Sequence, residues 1–246
     1  MPEISKAPAR IAGMFDAIAG RYDFLNHVLT GGIDRRWRRR AIASLQLTGR
    51  ERVLDLCTGT GDLAIAAVHT RPSASRVIGI DFSAAMLAVG HDKVSRRGFG
   101  AKVALLRGDA IRLPVADASV DAVTVAFGLR NVVDVPACCR EMFRVLKPGG
   151  RLAVLEFAVP TAAGFAPLYM WYVRRVLPRV GRALSPDGRA YEYLQASIEA
   201  FETPGEFVTI LRQCGFIEIA PVPLMLGSVF LYAACRRSGC YTAVST

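Results

Sequence analysis

Histidine is scarce in this chain. It occurs three times in 246 residues, and the six cysteines (57, 138, 139, 214, 235 and 240) form neither a Cys-x-x-Cys pair nor a ligand spacing with those histidines. The pattern offers no metal site and reads as reduced, structural thiols. No stretch approaches the roughly 18 apolar residues of a spanning helix, and Met1 to Arg10 lack the apolar core of a signal peptide. The chain is therefore expected in the cytoplasm, either free or peripheral on the inner face of the membrane. Internal repeats and low-complexity linkers are also missing, which leaves one domain over residues 1–246. Acids are under-represented: 21 Asp and Glu stand against 31 Lys and Arg, a net charge of +10. That balance favours anionic partners without choosing among headgroups, nucleic acid and acidic metabolites.

What is present is organised around Val53-Leu54-Asp55-Leu56-Cys57-Thr58-Gly59-Thr60-Gly61-Asp62. The apolar positions read as the end of a buried strand, Gly59-x-Gly61 allows a tight turn and close approach to a ligand, and Leu63 to Val68 opens a helix. Four further strands are expected over 76–81, 102–106, 121–127 and 151–157. Each is nearly continuous in apolar residues, and helices fall between them, one of them over 136–146 and stopped by Lys147-Pro148-Gly149-Gly150. This alternation predicts an α/β fold, a parallel sheet with helices on both faces. Phe216–Val222 and Ser228–Cys235 then read as an antiparallel hairpin at the sheet edge, making seven strands.

The flanks carry a different character. Residues 14–27 predict two short helices broken at Gly20 and lying over the site, within an N-terminal helical lid of residues 1–45. Asp34 to Ile42 holds five arginines between 35 and 40, with Trp37, Ala41 and Leu45 on one face. It reads either as a solvated basic helix with a buried tryptophan or as a patch that steers a headgroup or substrate. Residues 46–160 make the ligand-binding core and 161–235 the covering helices and hairpin, with helix expected over 190–201 and again from Thr203. A tail occupies 236–246. The aromatic and basic stretch 165–184 suits a greasy wall for a long apolar tail, or a covering helix packed on the sheet.

The glycine turn alone does not choose its nucleotide, because Gly59-x-Gly61-x-x-Ala64 followed by Asp81 also satisfies a dinucleotide fingerprint. Three features tilt the choice. Asp55 would repel a pyrophosphate but receive the ammonium of a methionine moiety, Asp109 suits an adenine amine, and a terminal hairpin follows the fifth strand. Val53–Asp62, Asp81, Gly108-Asp109-Ala110 and Leu146 to Gly150 resemble the successive motifs of class I S-adenosylmethionine-dependent methyltransferases, a Rossmann-like fold. Tyr22-Asp23-Phe24-Leu25-Asn26-His27, Gly32 to Arg38, Phe127 to Asp134, Leu155-Glu156-Phe157 and Tyr191 to Ile198 narrow the resemblance to the ubiquinone/menaquinone biosynthesis C-methyltransferases, from about Met14 to about Ala234.

The resemblance implies S-adenosylmethionine as cofactor, a prenylated quinol as substrate and no nucleic-acid partner. It implies demethylmenaquinol as the first reading, with the ubiquinone-pathway step or another small molecule as the runner-up. A non-catalytic subunit of a quinone-synthesis complex is the alternative of another class; a homodimer and peripheral membrane contact complete the expected partners. Asp55, the Gly59-Thr60-Gly61 turn, Asp81 and the pair Asp109-Ala110 would hold the cofactor. Ala126 stands where many members carry a serine, a loss of one hydroxyl contact worth about 1 kcal/mol. Met225 to Cys235 also lacks the glycine and histidine often seen in the hairpin. Methylating a ring carbon requires a phenolate, and hence a cation or donor for its oxyanion. Arg130 and Asn131 after the fourth strand, with Tyr22 from the lid, fill that role. The competing reading pairs Arg130 with Asp134 or Asp23 as a structural pin. Glu156 is either a cleft residue or a structural carboxylate. His27 reads as a capping or surface residue before a proton relay, and His69 and His91 receive no role.

Overall fold

The computed structural model describes residues 8–70, 76–160, 164–176 and 189–238. Helices α1 (Pro8–Ile18) and α2 (Tyr22–Thr30) are joined by a 3-10 turn over Ala19–Arg21, and α3 follows at Asp34–Ser44. The lid therefore contains the expected break at Gly20, but its helices begin at Pro8 and reach Thr30. Strands β1 (Arg52–Leu56), β2 (Arg76–Asp81), β3 (Val103–Arg107) and β4 (Val120–Ala126) alternate with α4 (Asp62–Thr70) and α5 (Ala84–Arg96). After β4 come α6 (Val135–Val145), β5 (Leu146–Phe157), α7 (Phe165–Trp171) with a π turn over Tyr172–Val176, α8 (Arg189–Glu199), α9 (Pro204–Gln213), β6 (Phe216–Leu224) and β7 (Val229–Arg236).

The strands form one seven-stranded sheet in the order β3-β2-β1-β4-β5-β7-β6. Pairs among β1 to β5 are parallel, while β7 runs antiparallel to both β5 and β6. The hairpin lies at the edge as expected, although β7 itself is interior and only β6 is the outer strand. Successive strand residues enter different cores: Leu54, Leu152 and Val154 pack with α6 and α9 on one face, Val53, Ala153 and Leu155 with α3, α4 and α5 on the other. Along β1, β2, β4 and the part of β5 after its bulge both faces are covered, which is why those strands run apolar without alternation, whereas β3 and β6 keep exposed positions.

One boundary differs. Lys147 to Gly150 is not a turn between helix and strand, because β5 starts at Leu146 directly after α6. Leu146 pairs with Val120 and Arg151 with Ala122, so the stretch between them bulges, with Gly149 at φ +79° supplying the left-handed step. The expected tail also begins later, since Arg236 ends β7 with its Nη1 donating to the carbonyls of Phe143, Arg144 and Leu146. Residues 239–246 and 177–184 of the expected covering stretch lie outside the described residues.

Among the described glycines, Gly128, just after β4, leaves the least room for a side chain. A Cβ there would stand 2.3 Å from the Cβ of Cys57. Gly128→Ala is expected to destabilise the protein by about 1–3 kcal/mol through overpacking. Gly205→Ala in α9, with nothing within 4 Å of the added methyl, should be neutral or mildly stabilising. Urea unfolding of both variants checks this, and equal midpoints would refute the crowding.

Candidate active site

The carboxyl ends of β1, β2 and β4 bring the expected acids and glycines together. Cys57 after β1 and Phe127 after β4 both adopt left-handed backbones, at φ 53° and 60°, and Gly59 and Gly61 do the same at 55° and 79°. These turns bend the loops away from the sheet. They open a cavity of about 560 Å³ lined by Gly59, Asp81, Asp109, Ala110, Ala126 and Asn131, with Ile11, Phe15, Phe82, Met86 and Val132 as apolar walls.

Asp81 is buried, and both of its oxygens are already engaged: Oδ2 accepts from the Gly59 amide at 2.8 Å and Oδ1 from the Ser83 amide at 2.9 Å. The two amides orient the carboxylate, while burial raises its pKa. Asp109 is exposed at the rim, where its Oδ1 accepts from the Ile111 amide at 3.1 Å. Asp55 lies deeper, beneath the glycine turn. Its Oδ2 accepts from the Thr58 hydroxyl at 2.5 Å and the Ala64 amide at 3.1 Å, and burial pushes its pKa up to about 7. It lines a small recess with Gly59, Thr60, Asp62, Tyr22 and Arg38. The Thr60 hydroxyl is turned toward the lid, donating to Asp23 Oδ1 at 2.6 Å and accepting from Lys93 Nζ at 3.0 Å.

A second cavity of about 450 Å³ adjoins the first. Trp37, Phe157, Tyr169 and Leu194 make its walls, with Arg130 among the few charged side chains on them. Arg130 and Asn131 face different spaces: Arg130 lines this cavity, Asn131 the first. Arg130 is buried and pairs with neither Asp134 nor Asp23. Its Nη1 donates to Glu156 Oε1 at 2.8 Å and to the Phe127 carbonyl, and its amide reaches Glu156 Oε2 at 3.2 Å. Asp134 instead caps α6, accepting from the Ala137 amide, and Asp23 binds Lys93 and Thr60. The Nε–H of Arg130, Oδ1 of Asn131 and Oη of Tyr193 are buried without a hydrogen-bond partner among the described residues. Buried polar atoms of that kind call for a ligand or water.

Tyr22, Phe15 and Phe127 line both cavities and form the wall between them. Burial raises the Tyr22 phenol against the opposing pull of Arg130, and the Asn26 side chain hydrogen-bonds to it. Burial likewise pushes the Tyr169 phenol up to about 12 and raises that of Tyr193. These phenols stay protonated at neutral pH and act as donors, not bases. Both His27 ring nitrogens are occupied, Nδ1 with the Asp23 carbonyl at 2.8 Å and Nε2 with Arg35 Nε at 2.5 Å, which suits the structural reading. Sequence reasoning left Arg38, Asn26 and Tyr193 without a role. Asn26 lies one helical turn after Tyr22, a spacing that was legible, whereas Arg38 is hidden among identical neighbours.

Residues 4–236 match the model of the ubiE/COQ5 methyltransferase family. The chain is 46% identical over 223 residues to a ubiquinone/menaquinone biosynthesis C-methyltransferase of Syntrophotalea carbinolica, covering 91% of this chain and 92% of the relative. It is 44% identical over 233 residues to the demethylmenaquinone methyltransferase of Mycobacterium marinum, covering 95% and 96%. Among solved structures it resembles the [4+2]-cyclase SpnF, with a TM-score of 0.68 at 18% identity over 93% of this chain and 96% of that one. It also resembles a SAM-dependent methyltransferase from Aquifex aeolicus, with a TM-score of 0.59 at 18% identity over 81% and 89%. The two structures show a shared fold; the first belongs to a cyclase, so fold alone does not carry the reaction.

Asp55 generates a pH prediction. An acid whose folded pKa is about 7 against 3.8 in the open chain binds more protons folded than unfolded between those values, so it costs stability as pH rises across that window. From pH 5 to pH 7.5 the ligand-free wild type should lose about 2 kcal/mol more stability than Asp55→Asn. Parallel pH profiles in urea unfolding would contradict the elevated pKa.

Proposed function

Because the chain belongs to the ubiE/COQ5 methyltransferase family, we propose that it transfers a methyl group from S-adenosylmethionine to a ring carbon of a prenylated quinol, converting demethylmenaquinol to menaquinol. The observation that carries the reading is the pair of adjoining cavities, one acid-lined at the glycine turn and one apolar around a buried arginine, divided by Tyr22, Phe15 and Phe127. The donor set fits the cofactor: Asp81 and Asp109 are acceptors for ribose and adenine, Asp55 suits an ammonium, and the apolar walls suit a purine. When bound, S-adenosylmethionine supplies an electrophilic methyl on a sulfonium, so what the protein adds is alignment and exclusion of water.

Arg130 supports the oxyanion that makes the ring carbon nucleophilic. Its Nη1 is held by Glu156 and the Phe127 carbonyl, which fixes the guanidinium in the cavity wall where it would meet the quinol oxygen. An arginine remains charged at any working pH, so its part is to stabilise the phenolate, not to take the proton. Tyr22, which lines both cavities, would donate to the quinol from the wall between them. Transfer of label from the cofactor to reduced demethylmenaquinone tests the proposal. Arg130→Ala should lower kcat about 100- to 1000-fold while leaving S-adenosylhomocysteine affinity unchanged. Cofactor binding without turnover on any reduced prenylquinone would favour the non-catalytic alternative, and turnover on a benzoquinol alone would favour the ubiquinone-pathway step.

The mouth of the 450 Å³ cavity supports membrane contact. Leu168 is 60% exposed, Trp171 56% and Met225 49%, all three lining that cavity, and Leu226 beside them is 67% exposed. Met225 and Leu226 hold left-handed backbones at φ 43° and 55°, costly for residues with a Cβ. No helix among the described residues is long and apolar enough to cross a membrane, so the contact is peripheral. The protein should co-sediment with anionic vesicles, less so at high salt, and Trp171→Ser with Leu226→Ser should weaken it. Sedimentation indifferent to lipid charge, salt and these substitutions would refute the assignment.

A further inference from the structure

The five arginines of α3 do not behave alike. Arg35, Arg36, Arg39 and Arg40 are exposed, whereas the Arg38 side chain is only 12% exposed and lines both the 450 Å³ cavity and the small recess beneath the glycine turn. Its guanidinium sits 5.7 Å from the centre of the Phe127 ring. Its Nε lies 3.5 Å from Asp34 Oδ2 without forming a hydrogen bond, and both atoms are buried without another hydrogen-bond partner among the described residues. Within the recess it attracts Asp55 and Asp62, holding both carboxyls lower than burial alone would.

The recess is only about 20 Å³, but Tyr22, Cys57, Gly59 and Ala126 line both it and the 560 Å³ cavity, so it forms the polar end of that space, with the chemistry of a zwitterion site. Asp55 and Asp62 suit an ammonium, but an amino-acid terminus also brings a carboxylate, which needs donors of its own. The glycine-turn amides are largely committed: Thr58 N donates to the Ile80 carbonyl at 3.1 Å, Gly59 N to Asp81 Oδ2 at 2.8 Å and Gly61 N to the Thr58 carbonyl at 2.9 Å. The neighbouring cation, Lys93, is saturated by Asp23, Thr60 and Asp62 and does not line the recess. Among the described residues Arg38 is the cation that lines it.

We propose that Arg38 binds the carboxylate of the cofactor's methionine end, with Asp34 positioning its guanidinium. The inference rests on the S-adenosylmethionine reading above. A planar guanidinium meets a carboxylate with paired donors, and the Phe127 face supports it by stacking. The arrangement makes Arg38 a specificity residue, selecting cofactors that retain the amino-acid carboxylate.

Calorimetry with two ligands tests this on the purified full chain. S-adenosylhomocysteine carries both ammonium and carboxylate; S-adenosyl-3-thiopropylamine carries the ammonium alone. Arg38→Gln should weaken S-adenosylhomocysteine about 10- to 100-fold and leave the thiopropylamine unchanged, and Arg38→Lys should restore part of the loss. Thermal unfolding checks that the variants fold, and Arg38→Lys keeps the test available if Arg38→Gln does not. Equal weakening of both ligands, or unchanged affinity for both with only the quinol KM raised, would overturn the proposal. Failure of the wild type to bind either ligand would instead overturn the cofactor reading itself.

Discussion

The contact between Gly128 and Cys57 is the constraint from which the two cavities follow. Strand β1 has β2 on one side and β4 on the other, and the helices after β1 and β2 pack on the opposite face of the sheet from the helix after β4. Where the chain changes faces, the loops leaving β1 and β4 must part, and a crevice opens at the strand ends. Here both loops part by left-handed steps at residues with a Cβ, Cys57 and Phe127, conformations that cost about 1–3 kcal/mol each. The missing Cβ of Gly128 leaves room for the Cys57 side chain at the base while the loops diverge above. Asp55 and Ala126 stand at the strand ends below that divergence, and Arg130 in the loop that follows β4.

The lid completes what the sheet begins. Ile11 and Phe15 of α1 are walls of the 560 Å³ cavity, and Tyr22 of α2 divides it from the 450 Å³ cavity. Two anchors hold these helices down: Asp16 Oδ1 accepts from the Ser83 hydroxyl at 2.5 Å, and Asp23 meets both Thr60 and Lys93. Lys93 also binds Asp62 at 2.7 Å. Each anchor ends on a residue of the glycine turn or on the cap of α5, so the lid is fastened to the same loops that shape the cofactor cavity. Tyr22 sits next to Asp23 in sequence, and the latch therefore also fixes the phenol that lines both cavities.

Much of this was legible in the chain. The five parallel strands follow from apolar runs that only a sheet covered on both faces can bury, and the glycine turn and Asp81 mark the ends of β1 and β2. The bulge at Lys147 to Gly150 was not legible, because Pro and Gly signal a break equally well for a turn and for a strand that kinks. The partner of Arg130 was not legible either. Asp134 and Asp23 were the nearer acids in motif and in lid, yet Glu156 lies across the β4–β5 pair, a contact 26 residues away in sequence that only the sheet register creates.

Glu156 also explains why a buried arginine is tolerated at this place. A buried ion pair contributes little net stability, since desolvation offsets most of the attraction. Replacing both residues with apolar ones would give an equally packed wall, so stability alone does not account for the pair. Its geometry does: Glu156 and the Phe127 carbonyl hold Nη1 and fix the guanidinium in the wall of a mainly apolar cavity. In such a low-dielectric space one fixed donor exerts far more pull on a nearby oxygen than it would in water, and it needs no reorganisation when negative charge develops there. The same reasoning separates Arg38 from the arginines beside it on α3. Charge count alone left all five as either a solvated helix or a steering patch, and only the helical phase relative to Trp37, which packs in the core with β4 and β5 residues, turns one of them inward.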